Sequence, residues 1–128
     1  MKNENIKTYR DMDVWKEAMN LAELIYKNMK VLPKDEIYGL VNQIQRAAVS
    51  IPANIAEGWG RMSKKEFKRF CSIARGSSME LETHLILVVR LKYISKEQML
   101  PIWSQLQVVN KLLYGLIRTL NKQISDTK

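Results

Sequence analysis

The chain has 128 residues, 46% of them hydrophobic and 27% charged, with three prolines and five glycines. That is one ordinary domain, able to bury a core without disulfides or metals, and it excludes a disordered chain. The formal net charge is +8 and the pI is near 9.7, a balance that attracts polyanions: nucleic acid first, acidic proteins or anionic lipid second.

The single cysteine, Cys71, forbids an intrachain disulfide. The longest apolar run, Leu85-Ile86-Leu87-Val88-Val89, is far short of the ~20 residues that cross a bilayer. The first residues are polar and no signal-type apolar stretch follows them. The expected location is cytoplasmic, with no membrane partner.

Four segments carry helical periodicity, and none shows sustained strand alternation. The first is expected over residues 13–29. Val14, Trp15, Ala18, Ala22, Ile25 and Met29 form its apolar stripe, with Asp11 or Asp13 as cap and Pro33 as breaker. The second is expected over 34–57, with Ile37, Leu40, Val41, Ile44, Ala48, Ile51 and Ile55 in its stripe. Pro52 falls inside it and predicts a kink. Gly58 is expected to end it in the left-handed conformation.

The third is expected over 63–91. Ser63-Lys64-Lys65-Glu66 reads as a capping box ahead of a stripe of Phe67, Phe70, Cys71, Ala74, Ser78, Leu81, Leu85 and Val88. The fourth is expected over 95–122, behind a second box, Ser95-Lys96-Glu97-Gln98, with Pro101 disturbing its start. A frayed tail is expected over 123–128. Short connections between long helices predict an all-α, antiparallel up-down four-helix bundle over residues 1–128.

At about 100° per residue, Lys64, Lys65, Lys68, Arg69 and Arg75 fall within roughly 140° on the side of the third helix opposite its apolar stripe. Arg61 precedes them, and Glu66 is the only acid between Arg61 and Arg75. Several cations on one rigid surface suit phosphate neutralisation; a solvated helix face is the plain alternative. No base-reading motif is present, so RNA or DNA binding here would be led by backbone and shape.

On the second helix, Gln43, Arg46, Ser50, Asn54 and Glu57 fall within about 80°, beside the apolar stripe. Such a line of hydrogen-bonding groups suits a half-buried seam, either a subunit interface or a network against the third helix with Ser77 and Glu80.

Catalytic groups are not assembled. His84 is the one histidine, thirteen residues from Cys71 on the same expected helix, or about 20 Å along it. No phosphate-binding loop, nucleophile elbow or zinc-protease motif occurs. Cys71 reads as a buried small hydrophobe. Trp59, between two glycines, is the tryptophan most open to stacking on a base, or else packs under a helix end. No enzyme, metal or cofactor is expected.

Two stretches carry a family resemblance. Gln43-Ile44-Gln45-Arg46-Ala47-Ala48-Val49-Ser50-Ile51-Pro52-Ala53-Asn54-Ile55-Ala56-Glu57-Gly58 resembles the signature of bacterial four-helix-bundle proteins encoded in intervening sequences of 23S ribosomal RNA genes. Phe70-Cys71-Ser72-Ile73-Ala74-Arg75-Gly76-Ser77-Ser78-Met79-Glu80-Leu81-Glu82 resembles that family's next motif, and Val14-Trp15-Lys16 fits as well.

The resemblance implies a ring-like homopentamer. It also implies kinship with the accessory variability protein of diversity-generating retroelements, a basic barrel that binds nucleic acid and a reverse transcriptase. It implies no enzymatic activity. On it, Gln43, Arg46, Ser50, Asn54, Glu57, Gly58, Gly76, Ser77 and Glu80 are structural or interface residues, and His84 stands where an amide is expected. The functional expectation is therefore a non-enzymatic, homo-oligomeric nucleic-acid binder. The alternative is a scaffold for an acidic protein or a polymerase.

Overall fold

The computed structural model describes residues 5–127. Helix α1 spans Asp13–Asn28, α2 Asn42–Gly60, α3 Lys64–Arg90 and α4 Lys96–Asp126. Among the described residues there is no strand. Each helix packs on its chain neighbours, and α1 closes the circuit on α4. The result is the expected four-helix bundle.

The core follows the apolar stripes. Leu21, Ile25, Ile44, Ile51, Ile55, Leu81, Leu85, Ile102, Leu106 and Leu113 are fully or almost fully buried and belong to one continuous cluster. Removing such side chains from water is the main stabilising term, about 1.5–3 kcal/mol each.

The ends of the helices differ from the sequence reading in instructive ways. Asp11 does not cap α1. Its carboxylate accepts from the amides of Lys7 and Thr8 and so closes a short 3-10 turn, Tyr9–Asp11, ahead of it. Those amides hold the Asp11 carboxyl below its ordinary range. Met12 occupies the cap of α1 without a side-chain bond. Residues 34–41, expected as the start of the second helix, form instead a 3-10 turn, Lys34–Glu36, and a wide π turn, Ile37–Val41.

The backbone leaves helical dihedrals at Gly39 (φ −110°, ψ −105°), while α2 runs unbroken through Pro52. The irregularity sits where a residue without Cβ can take the unusual conformation. Glu36 braces it: its carboxylate accepts from the Leu40 amide at 3.4 Å and from the Tyr93 hydroxyl at 2.8 Å. The bond to Glu36, and then loss of solvent, push the Tyr93 phenol above its ordinary pKa.

Gly58 does not terminate α2. It is buried inside the helix, which ends two residues later, and Met62 takes the left-handed conformation (φ 58°). Gly58 serves a close approach instead. A Cβ there would lie 2.7 Å from Phe70 Cβ and 3.2 Å from the Phe67 carbonyl oxygen, both on α3.

The Ser63 box is half formed. Ser63 accepts from the Glu66 amide, but the Glu66 side chain turns to Arg69. The Ser95 box is complete, and α4 starts at Lys96 despite Pro101. At the far end of α3, Lys92 (φ 63°) and the bond from the Tyr93 amide to the Val88 carbonyl form a Schellman stop. The tail expected to fray from Gln123 is helical to Asp126, because Gln123 and Ile124 are half-buried and extend the stripe beyond Leu120.

Candidate nucleic-acid interface

The six cations singled out in the sequence separate into two groups. Arg61 and Arg69 are committed locally. Arg61 bonds Glu57 at 2.9 Å, and Arg69 bonds both oxygens of Glu66 at 3.0 and 3.2 Å. The Arg69 guanidinium holds the Glu66 carboxyl below the usual carboxylate range. Both guanidinia also lie over Phe70, at 4.9 and 4.5 Å from its ring centre, and together they close the top of the α2–α3 contact. Lys64, Lys65, Lys68 and Arg75 make no ion pair among the described residues.

Arg75 leads across to α4. Its guanidinium lies 5.5 Å from the ring centre of Tyr114, and Arg118 lies 5.7 Å from the same ring. Lys111 stands beside them, lining an open groove between α3 and α4 with Arg75 and Tyr114. Because the two helices are antiparallel, Arg118 and Lys122 run toward the Lys64 end of α3. At about 100° per residue, Lys111, Arg118 and Lys122 fall within roughly 40° of one another on α4. The basic surface is therefore a face of two helices.

The α4 half was missed in the sequence reading. Its signal was present: no Asp or Glu occurs between Glu97 and Asp126, while three cations recur at helical spacing.

The polar seam is brought together in part. Ser50 and Ser77 hydroxyls bond across α2 and α3 at 2.8 Å, and the Asn54 amide donates to the Ser50 carbonyl and hydroxyl at 2.8 and 2.9 Å. Glu57 leaves the seam for Arg61. Gln43, Arg46 and Glu80 instead line an open groove above Ser50 and Ser77, and Tyr38, 93% exposed, stands at its rim. Glu80 also reaches His84 on its own helix, at 3.3 Å.

A second network, not read from the sequence, joins α3 to α4. Fully buried Ser78 donates to Asn110, and Asn110 and Gln107 both donate to Glu82, at 3.0 and 3.2 Å. Ser78 falls in the apolar stripe of α3, where nothing in the sequence shows that an amide faces it.

The groups of possible chemical interest are dispersed. Cys71 is buried, which pushes its thiol up to about 12, so the nucleophilic thiolate is scarce. Among the described residues no cluster of His, Cys, Asp and Glu forms a metal site, and no helix is long and apolar enough to cross a membrane. Trp59 packs edge-on against Phe67 at 6.0 Å and is half-buried.

Residues 10–115 match the family described as 23S rRNA-intervening sequence protein. A crystal structure from Bacteroides thetaiotaomicron, of a protein with unknown function from the S23 ribosomal protein family, superimposes with a TM-score of 0.75. It is 31% identical, and the alignment covers 81% of this chain and 97% of that one. No curated protein matches. The helical bundle and a match over most of its length agree: the chain belongs to the 23S rRNA-intervening sequence protein family.

Proposed function

We propose that this protein is a non-enzymatic, homo-oligomeric nucleic-acid binder that holds RNA or DNA by its backbone, across the basic α3–α4 face. One observation carries the reading: Lys64, Lys65, Lys68 and Arg75 on α3 share a surface with Lys111, Arg118 and Lys122 on α4, and Glu66 is already taken by Arg69. Cations without internal partners are the ones that can exchange counterions for phosphates. Backbone contacts fix register and carry no base code, which suits a face without a base-reading motif.

Self-association is assigned to the α2–α3 groove. Arg46 and Glu80 give that groove both signs of charge, whereas the α3–α4 face has an excess of one sign and repels its own copy. Tyr38 at the rim supplies an exposed aromatic anchor. The expected assembly is the ring of five that the family resemblance implies.

Lysine acetylation footprinting tests the reading. With a 20-nucleotide RNA or DNA bound, Lys64, Lys65, Lys68, Lys111 and Lys122 are expected to be protected. Lys30 and Lys34, at the other end of the bundle, are expected to react as in the free protein. The same samples in light scattering are expected to have a multiple of the 14.9 kDa chain mass. Uniform reactivity with and without nucleic acid at low salt would refute this reading and favour a scaffold for an acidic protein or a polymerase.

A further inference from the structure

Tyr114 is half exposed on a surface that it shares with Arg75, Lys111, Arg118 and Met79. Two guanidinia from different helices, Arg75 and Arg118, converge on its ring at 5.5 and 5.7 Å. The groove running from it between α3 and α4 has a volume of about 370 Å³ and is lined further by Met79, Gln107, Asn110 and Lys111. An exposed phenol ring is a platform for one planar group. Guanidinia over the ring, at a distance from which they can swing out to phosphates, and a lysine beside it suit the backbone that flanks such a group.

Glu82 lies under this groove, and its charge opposes an anion. Its carboxylate is however occupied by two amide donors, from Gln107 and Asn110, which turn their dipoles against it. The amide oxygens are engaged as well, that of Asn110 by Ser78 and that of Gln107 by Asn110, so the network is closed on itself beside the groove.

We infer that Tyr114 is a base-stacking site, and that the α3–α4 face takes single-stranded nucleic acid in preference to duplex. This deepens the proposed function and rests on it. In a duplex every base is already stacked and its π face is closed, so a ring on a shallow basic groove reaches only phosphates and sugar edges. In a single strand one base turns out onto Tyr114 while its two phosphates meet Arg75 and Arg118. Stacking tolerates any base, so the preference is for strandedness and not for sequence. Trp59, the aromatic that the sequence put forward for this role, is engaged with Phe67 and lies on the α2–α3 side.

The test compares the full-length protein with Tyr114→Leu and Tyr114→Phe. Each is titrated with 12-nucleotide single strands and 12-base-pair duplexes, of RNA and of DNA, at fixed salt. Tyr114→Leu is expected to bind both single strands about tenfold more weakly and the duplexes as before. Tyr114→Phe is expected to retain the affinity, since the ring and not the hydroxyl is used. A strand carrying 2-aminopurine is expected to lose fluorescence on the wild type and on Tyr114→Phe, and to keep it on Tyr114→Leu. RNA and DNA arms that differ would assign the preferred sugar. Equal affinities of wild type and Tyr114→Leu for single strands, with binding intact, would overturn the stacking site and leave the basic face standing. Absence of binding by the wild type to any of the four probes would overturn both.

Discussion

Replacing Lys68, Arg75, Lys111 and Arg118 together by Gln is expected to weaken binding to a single strand by about three orders of magnitude at 50 mM salt. Four fewer phosphate contacts lower the slope of log affinity against log salt by about 3, at roughly 0.7 per contact for single strands. Arg75, Lys111 and Arg118 are exposed, Lys68 is half-buried, and none of the four makes an ion pair among the described residues. Stability is expected to change by no more than about 1 kcal/mol per site, the most at Arg75 and Arg118 over Tyr114, and helical circular dichroism to be unchanged. The informative contrast is Arg61→Gln with Arg69→Gln. Each of these cations is paired with its own carboxylate, Glu57 or Glu66, and stacked on Phe70. This double variant is expected to lose less than about tenfold in affinity, because each pair is already near neutral. If it loses as much as the quadruple variant, the division of the six cations is wrong.

Gly58→Ala is expected to destabilise the bundle by about 2 kcal/mol, while Gly76→Ala leaves it unchanged or stabilises it by up to ~1 kcal/mol. Both glycines are in helices, and in an open position alanine is the better helix former by that last amount. Around Gly76 nothing lies within 4 Å of the added Cβ. At Gly58 it meets Phe70 Cβ at 2.7 Å and Phe67 Cδ1 at 3.0 Å. The Phe67 ring can turn aside, but Phe70 Cβ and the Phe67 carbonyl move only with α3. The helices must separate where they pack most closely, and overpacking of this kind costs about 1–3 kcal/mol. Urea unfolding of the two variants measures the difference. Equal midpoints would show that α2 and α3 give way freely.

Gly58 also shows how far the sequence could be read. A glycine near the end of an apolar helical stripe has two readings, a left-handed stop or a close approach, and local sequence does not separate them. The stop fell to Met62, a residue without glycine's freedom, because Gly58 was needed against Phe70. Pro52 and Gly39 pose the same problem. A proline advertises a kink, yet the backbone departs from helical dihedrals at Gly39, where Glu36 and Tyr93, 57 residues apart, hold the turn.

Periodicity, which needs only the chain itself, located all four helices. What it could not show were properties of pairs of helices. The α3 stripe from Lys64 to Arg75 was legible because its cations are dense in sequence. Lys111, Arg118 and Lys122 are scattered among apolar residues, and they become a face only when α4 is laid antiparallel beside α3 with Tyr114 under Arg75. The seam divides in the same way. Its members on one helix were legible from spacing, whereas the bond from Ser50 to Ser77 and the departure of Glu57 to Arg61 depend on which neighbour each side chain meets.

The most direct measurement is the affinity of the wild-type protein for a single-stranded 20-mer as a function of salt. If the α3–α4 face holds the backbone, log Kd rises linearly with log salt with a slope of about 3 or more, which corresponds to at least four phosphates neutralised. No binding at 50 mM salt, or an affinity that does not change with salt, would contradict it.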